Sequence, residues 1–367
     1  MEWALTIDYH YDDLNRLSEM LRQSQSFIAL PRGDIYDFHS YLLPTSPLHN
    51  TRAILDRNFY TRITNLIEGK EVPQNEIDDY RWAAAVMAFC QISEITFDYA
   101  SSLQELASIH GGGDAVQEFE AFHYADNSDP QQFLDFALSR ITQIKKPTDK
   151  IEPPRSTPAS SLFEQRIYEF RINYILSLKI SILEAEFGSG VSPMLRFIEW
   201  MDEEFMMGAS ALHFANLLFS PSRSKKMLKE KRLKDIKNTA WDFALLQSWS
   251  SDAITFEDTK EHVYLITRDK VVKYIANRLV AADHNEFKSF ITEAWKNNMK
   301  GGLQVFERFM ELQKKVAKTM PNRFKIYSDE ERDKFKKRRP FSDKQFDDLT
   351  QELEHQYLSL RQDKGNN

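Results

Sequence analysis

The sequence predicts a helix-rich α/β fold in which a short parallel sheet is flanked by helices. Helical periodicity covers much of the 367-residue chain, most clearly at 161–187. Three short apolar or β-prone runs, at 52–55, 94–100 and 262–267, interrupt it. Parallel strands covered on both faces have this composition, and short strands separated by helices are typical of α/β sheets. Only 11 glycines occur, which argues against an all-β fold rich in tight turns.

The helices are predicted from apolar spacing and from their end signals. Ser161 and Glu164 form a capping-box pattern at the start of the 161–187 helix. The proline-rich segment before it, 147–160, predicts a linker or long loop, because proline cannot donate a backbone hydrogen bond. Further helices are predicted over 6–24, 75–92, 193–220, 224–250, 269–281, 286–318 and 343–362.

Composition and charge narrow the classes of function. The single cysteine, Cys90, excludes an internal disulfide and a cysteine-based zinc site, and it fits a reducing cytoplasm. The first residues lack the charged start and apolar run of a signal peptide, and the longest apolar run, 82–90, is too short to span a bilayer, so no membrane partner is expected. The formal net charge of −7 means that contact with nucleic acid would depend on local basic patches.

Several common catalytic motifs are missing from the sequence. It contains no G-x-x-x-x-G-K-[ST] loop for nucleotide phosphates and no H-E-x-x-H helix for zinc. The GSGVS segment at 188–192 is not a nucleophile elbow. The glycine run at 111–113 is more typical of a helix terminator than of a phosphate cradle. The carboxylates remain as the candidate chemistry.

Two of the predicted strands end at an acidic residue. Asp56 ends the AILD run, and Asp269 lies just past the VYLIT run. Ligands of open α/β sheets bind at the carboxyl ends of the strands, so these two carboxylates are expected to meet in one crevice. Oxygen ligands of this kind suit Mg²⁺ or Mn²⁺. The alternative interpretation is that each aspartate is the N-cap of the helix that follows it.

Two further acids are candidates for the same cluster. Glu105 lies on a helical segment after the 94–100 run, and Asp242 lies in the first turns of a helix starting near 238, where a carboxylate is favoured. Either residue is alternatively an ordinary solvated acid on a helix surface. Four clustered carboxylates would repel one another without a cation, so some of their pKa values are expected to rise. The acids that could replace one of the four are Asp98, Asp126, Glu184 and Asp252.

The order of these motifs resembles that of the PIN-like nuclease domains. It runs from a strand ending in D-x-N, through a helical Glu and a helix carrying Asp, to a strand followed by T-x-D. The resemblance covers roughly 50–110 and 236–280, about a third of the chain. The residues that match are Asp56 with Asn58, Glu105, Asp242, and Thr267 with Asp269.

The resemblance implies an activity for these residues. The chain would be a metal-dependent endonuclease that hydrolyses phosphodiester bonds of RNA, in preference to DNA, by metal-activated water. Mg²⁺ or Mn²⁺ would be the cofactor, and a second copy of the chain is a candidate partner. The catalytic and metal-binding residues would be Asp56, Glu105, Asp242 and Asp269, with Asn58 and Thr267 in support.

The resemblance also implies a domain outline. Residues 1–49 would form an N-terminal helical or loop segment. Residues 50–280 would form the PIN-like domain, with a helical insertion at about 111–235. Residues 281–367 would form a helical C-terminal extension that carries a basic run.

Two basic runs are candidates for contact with a nucleic-acid backbone. The run at 224–237 holds seven Lys or Arg against two acids and leads into Asp242, and a second run covers 334–339. Either run is alternatively a solvated helix face or tail. The residues assigned to nucleic-acid contact are Lys225, Lys226, Lys229, Lys231, Arg232 and Lys234.

A protein without catalytic activity is the alternative function. A helical interaction protein would need the acids only as helix caps and surface charge. A nucleic-acid-binding module would keep the fold and bind in a salt-dependent way without cleavage.

Overall fold

Four strands form one mixed sheet in the computed structural model, which describes residues 9–29, 35–42, 48, 50–145, 168–221, 232–254, 261–279, 284–323 and 342–365. The strands are β1 (Phe27–Ile28), β2 (Thr51–Leu55), β3 (Thr96–Asp98) and β4 (His262–Ile266). Their order in the sheet is β1-β4-β2-β3. β2 runs parallel to both β3 and β4, whereas β1 pairs antiparallel with β4. Every residue of β4 is buried, which explains its continuous apolar composition.

The chain divides into two compact units, and the sheet belongs to the first. The first unit comprises Met1–Gln165 with Ser248–Lys273, and the second comprises Arg166–Gln247 with Tyr274–Asn367. The predicted division of the chain into domains at 1–49, 50–280 and 281–367 stays a prediction.

Both units contain several helices in the described residues. Those of the first unit are α1 (Tyr11–Ser24), α2 (His39–Leu42), α3 (Arg57–Ile67), α4 (Ile77–Ile92, preceded by a 3₁₀ turn at Gln74–Glu76), α5 (Ala100–His110), α6 (Gly112–Asp126) and α7 (Pro130–Ala137). The second unit holds α8 (Tyr168–Phe187), α9 (Val191–Glu203) and α10 (Ala209–Phe219). Two helices, α11 (Leu233–Ile254) and α12 (Lys270–Leu279), have residues in both units, and the second unit ends with α13 (His284–Ala294), α14 (Met299–Arg323) and α15 (Asp343–Gly365).

Helix α4 is the central helix of the first unit. The apolar run 82–90 lies within it and is almost completely buried on every side. A helix that is apolar all round must be covered all round, and α4 packs against α1, α3 and α7. Across the described part of the chain, no helix combines the length and apolar character needed to cross a membrane.

Helix α8 has the same role in the second unit. It is apolar on most of its surface and packs against α9, α10 and α15. Polar contacts fix α15 along it. The Tyr174 hydroxyl donates to a Glu354 carboxylate oxygen at 2.5 Å, and the Arg171 guanidinium binds Asp347 and stacks on the Phe346 ring. These charge-assisted bonds set the position of α15 on a largely apolar contact.

The helix-rich α/β prediction is confirmed, and the three predicted strands at 52–55, 94–100 and 262–267 correspond to β2, β3 and β4. The prediction of a purely parallel sheet is wrong at one edge, because β1 adds an antiparallel strand. A strand of two residues is too short to show the alternation by which strands are recognised in a sequence.

Two predicted helices are each two helices in the structure. The predicted helix at 193–220 breaks before Gly208, where a Cβ atom would lie 2.3 Å from the Leu176 side chain. Glycine there lets α10 begin close to α8. The predicted helix at 286–318 breaks before α14, whose N-cap is Asn298, since the Asn298 side chain accepts a hydrogen bond from the Gly301 backbone N–H at 3.1 Å.

The packing of the first unit can be tested at Trp249. Its ring is fully buried, and its Nε1–H donates to the Val263 carbonyl of β4 at 3.0 Å. We expect Trp249→Phe to lower the free energy of unfolding by about 2–4 kcal/mol, because it leaves a cavity and removes a buried hydrogen bond. Urea unfolding measures this, with Tyr11→Phe as a control at an exposed ring. A loss below about 0.5 kcal/mol, as at an exposed site, would contradict this packing.

Candidate active site

The carboxyl ends of β2 and β4 lie side by side in the sheet. After β2 the chain passes through α3 and α4 to β3, the neighbour of β2 on one side. After β4, the neighbour on the other side, it continues into α12. Open α/β sheets bind their ligands at the carboxyl ends of the strands. Asp56 and Asp269 follow these two strands.

Asp56 is a buried carboxylate fixed by three hydrogen bonds. It is the N-cap of α3, and its Oδ1 accepts from the Asn58 backbone N–H at 2.9 Å. Its Oδ2 accepts from the Thr267 hydroxyl at 2.5 Å. Its own backbone N–H donates to the Ile266 carbonyl at 3.2 Å, which extends the pairing of β2 with β4 by one residue. The side chain is therefore held at the junction of both strands.

Thr267 connects this carboxylate to the second one. Its side chain is fully buried, and its Oγ1 accepts from the Asp269 backbone N–H at 3.0 Å while donating to Asp56. The Asp269 Oδ1 accepts from the N–H groups of Val271 and Val272 at 2.7 and 2.9 Å, so Asp269 caps α12. Asp269 itself is exposed. Asp56 and Asp269 are thus both helix caps, as the alternative interpretation held, and both stand at the strand ends, as the site interpretation held.

Glu105 reaches the same region from α5. The Ser102 hydroxyl donates to the Leu55 carbonyl, the last residue of β2, at 2.6 Å. Glu105 is three residues later and therefore on the same face of the helix as Ser102. This places Glu105 above the carboxyl end of β2, where Asp56 follows, and its carboxylate is half-buried.

Burial and mutual repulsion shift the protonation of this group. Loss of hydration raises the pKa of Asp56, and the charge of Asp269 adds to the rise, while the hydrogen bonds from Thr267 and Asn58 oppose it. Burial, together with the charge of Asp56, raises the pKa of Glu105 to about 7. Both rises have the predicted direction, but burial rather than repulsion is the main cause.

The fourth predicted acid has a different setting. Asp242 lies on α11, in the part that belongs to the second unit, nine residues past the start of the helix at Leu233. The prediction that it stands in the first turns of a helix is wrong, because the helix begins before the NTAWD segment. Asn58, one of the two supporting residues, is exposed and contributes its backbone N–H to Asp56.

Several of the other predicted residues have structural partners, and some lie outside the described residues. The Arg52 guanidinium binds Asp98 and Asp252 at 2.5 and 3.0 Å, and Arg361 binds Glu184 at 3.6 Å. Within the basic run, Arg232 pairs with Asp235 at the start of α11. Lys234 is on the first turn of that helix. The residues outside the described ones are Lys225, Lys226, Lys229, Lys231 and the run 334–339.

The three acids of the first unit suit a hard cation by their chemistry. Asp56, Glu105 and Asp269 offer only carboxylate oxygens, which Mg²⁺ and Mn²⁺ prefer. Each Asp56 oxygen accepts one hydrogen bond and so retains acceptor capacity. Among the residues that the structure describes, however, no three His, Cys, Asp or Glu side chains are grouped closely enough to enclose a metal ion.

Sequence reasoning missed Ser102, which positions Glu105. The contact of Ser102 with Leu55 spans 47 residues, and no local pattern announces it. Sequence reasoning also passed over Arg268, the middle residue of the T-x-D motif. Its position between Thr267 and Asp269 could have marked it as a neighbour of the site.

No protein-family model, no curated protein and no solved structure matches this chain. The resemblance to PIN-like nucleases therefore stays a prediction from sequence motifs.

The buried Thr267 hydroxyl provides a test of the link between the two strand ends. We expect Thr267→Val to lower the free energy of unfolding at pH 8 by about 1–3 kcal/mol, because a buried carboxylate oxygen of Asp56 loses its donor. Thr267→Ser is the matched control, since it keeps the hydroxyl. Equal losses for the valine and serine variants in urea unfolding would show that the hydroxyl is not the link.

Glu105 provides a test by pH. Because its pKa is about 7 in the folded chain and about 4.5 ordinarily, the unfolded chain releases this proton first as pH rises. The stability contributed by protonated Glu105 is complete below about pH 4.5 and is lost as pH rises to about 7. Without divalent metal, we expect Glu105→Gln to stabilise the protein at pH 8 by up to about 3 kcal/mol relative to wild type. Urea unfolding in EDTA from pH 4 to 8 measures the difference.

The control is Glu120→Gln, at an exposed position of α6, which should leave the dependence of stability on pH unchanged. If Glu105→Gln and the wild type had the same dependence of stability on pH, the raised pKa of Glu105 would be refuted.

Proposed function

We propose that this protein is a metal-dependent nuclease that hydrolyses phosphodiester bonds, with RNA preferred over DNA. The observation that carries the proposal is that Asp56 lies within electrostatic range of both Glu105 and Asp269 at the carboxyl ends of β2 and β4, although these three acids come from distant parts of the chain. Two of these carboxylates have raised pKa values, and carboxyl groups with perturbed pKa values cluster at functional sites.

We assign the binding of Mg²⁺ or Mn²⁺ to Asp56, Glu105 and Asp269, whose side chains would have to approach one another more closely than they do in the described structure. When bound, the cation would supply an activated water and would stabilise the charge that develops on the phosphate oxygens. The reaction adds the oxygen of water to phosphorus and breaks the bond from phosphorus to the leaving nucleoside oxygen. One proton of the water passes to that leaving oxygen or to solvent.

The surrounding residues position the carboxylates. Thr267 fixes Asp56 by its hydroxyl, and the Asn58 N–H binds the other Asp56 oxygen. Ser102 fixes the helix that carries Glu105. The charge of Arg57 favours the ionised form of Glu105 against burial. Asp242 has no role in this proposal, because the three acids of one unit supply the donor set.

A non-catalytic role is the second candidate, and a specific observation favours it. Asp56 and Asp269 both cap helices, and capping by itself accounts for an aspartate at each position. The chain would then be an interaction protein or a nucleic-acid-binding module.

The remaining features of the proposal concern location and partners. A single cysteine that is buried, Cys90, fits a reducing compartment, and we place the protein in the cytoplasm. Nucleic acid is the proposed partner, with a second copy of the chain as a further candidate.

Substitution of aspartate by asparagine separates capping from metal binding. Asparagine caps a helix about as well as aspartate but carries no charge. We therefore expect Asp56→Asn and Asp269→Asn to remain folded but to lose the rise in melting temperature that Mn²⁺ gives the wild type. We also expect each variant to cleave RNA at least about 100-fold more slowly than the wild type. Thermal melts with and without Mn²⁺, and cleavage of a labelled single-stranded RNA, measure both effects.

Asp114→Asn, at an exposed position of α6, is the control and should behave as wild type. A folded wild type whose melting temperature ignores Mn²⁺ and that cleaves neither RNA nor DNA would contradict the nuclease proposal. Salt-dependent RNA binding in that same protein would favour the binding module.

A further inference from the structure

Two arginines beside the proposed site share a single carboxylate. Arg62 of α3 binds an Asp79 oxygen through Nη2 at 3.0 Å, and Arg268 binds the other oxygen through Nη1 at 2.5 Å. Asp79 lies in the first turn of α4. Two positive charges against one negative charge leave this group, here called the Arg62–Arg268 pair, with a surplus positive charge.

The Arg62–Arg268 pair adjoins the acids in sequence and in space. Arg268 stands between Thr267, which binds Asp56, and Asp269. Arg62 is one turn along α3 from Asn58, whose carbonyl accepts from Arg62 Nη1 at 2.9 Å. Burial raises the pKa of Asp56, and the charge of Arg62 opposes that rise, so its guanidinium is within electrostatic range of the carboxylate.

The Arg268 guanidinium is held in place while remaining open to solvent, whereas the Arg62 side chain is only 19% exposed. The Arg268 guanidinium lies over the Trp82 ring, 5.6 Å from its centroid, and the Trp82 Nε1–H donates to the Ser26 hydroxyl at 2.6 Å. The side chains of Arg268 and Asp79 are 43% and 39% exposed, so a ligand can reach the contact between them. Within the part of the chain that the structure describes, Arg62 Nε has no hydrogen-bond acceptor.

A neighbouring arginine on the same helix shows the contrast. Arg57 binds Glu118 through two bonds of 2.7 Å, and both side chains are largely buried. One cation and one carboxylate match there, in the paired geometry that stabilises a fold. In the Arg62–Arg268 pair, by contrast, two cations share one carboxylate, and Arg268 and Asp79 are more exposed than Arg57 and Glu118.

We propose that Arg62 and Arg268 bind a backbone phosphate of the polynucleotide next to the bond to be cleaved, and that Asp79 occupies this phosphate position in the free protein. The inference rests on the proposed nuclease function and adds a substrate-positioning subsite to it. Guanidinium groups suit phosphate oxygens as well as carboxylate oxygens, because the fork of N–H donors matches both. A phosphate that displaces the Asp79 carboxylate would keep the same donors satisfied.

The competing interpretation is that Arg62, Asp79 and Arg268 only tie α3, α4 and the β4–α12 loop together. Asp79→Asn separates the two. A phosphate subsite gains affinity when its competing carboxylate loses its charge, whereas a structural tie loses stability and gains nothing.

The test uses the full chain and a 5′-fluorescein-labelled, 12-nucleotide single-stranded RNA. Fluorescence anisotropy in EDTA at several KCl concentrations gives binding without cleavage, and Mn²⁺ reactions give kcat and KM. We expect Arg268→Gln and Arg62→Gln to weaken binding about 10-fold and to reduce the salt slope by about 1 each. Asp79→Asn should tighten binding about 3-fold or more, and the matched control Arg22→Gln, on α1, should change neither. In the cleavage reaction, the arginine variants should raise KM more than they lower kcat, as expected of a positioning role.

The outcomes separate this inference from the function on which it rests. Cleavage by all variants with unchanged RNA affinity would overturn the phosphate subsite and leave the nuclease proposal standing. RNA binding that Arg268→Gln weakens and Asp79→Asn strengthens, without cleavage by the wild type, would support the subsite and overturn the nuclease. Absence of RNA binding by the folded wild type would overturn the subsite. Thermal melts of each variant show whether a loss of binding reflects unfolding.

Discussion

The hydrogen bond from the Thr267 hydroxyl to Asp56 is the interaction on which the arrangement of this site depends. It joins residues 211 positions apart and is fully buried, so water cannot replace it. The same hydroxyl accepts the Asp269 backbone N–H, and the Asp56 N–H continues the pairing of β2 with β4. Strand register, two helix starts and the positions of two carboxylates are therefore fixed at one point of the first unit.

Helix capping and cation binding place compatible demands on these aspartates. A capping carboxylate accepts backbone N–H groups at the positive end of a helix, which stabilises its ionised form. Asp56 needs that stabilisation, because burial and the charge of Asp269 both disfavour ionisation. Each of its oxygens accepts one hydrogen bond and keeps a lone pair for a further ligand. Capping thus helps to keep the Asp56 carboxylate ionised at the strand end. Without these hydrogen bonds, burial would disfavour the ionised form more strongly.

How far the sequence predicts this fold depends on how local each signal is. The strands at β2 and β4, and the acids that follow them, are visible because an apolar run and its terminal aspartate are adjacent residues. β1 is too short to carry a pattern, and the contact of Ser102 with Leu55 joins residues that no periodicity relates. Asp242 was misplaced because the sequence analysis put the start of its helix near residue 238, whereas α11 begins earlier, where the Asp235 side chain accepts from the Arg232 backbone N–H. The wrong predictions concern helix starts and long-range contacts, which tertiary structure decides.

Charge balance explains why acids and arginines occur together at this end of the sheet. Three carboxylates attract a divalent cation but repel a polyanion, and the net charge of −7 gives no general attraction to nucleic acid. At the start of β2, Arg52 binds three carboxylates, those of Asp98, Asp252 and Glu261. Beside Asp56 and Asp269, two arginines, Arg62 and Arg268, bind the single carboxylate of Asp79. A site that held both a cation and a phosphodiester, as we propose, would need cationic side chains beside its acids, and Arg62 and Arg268 stand there.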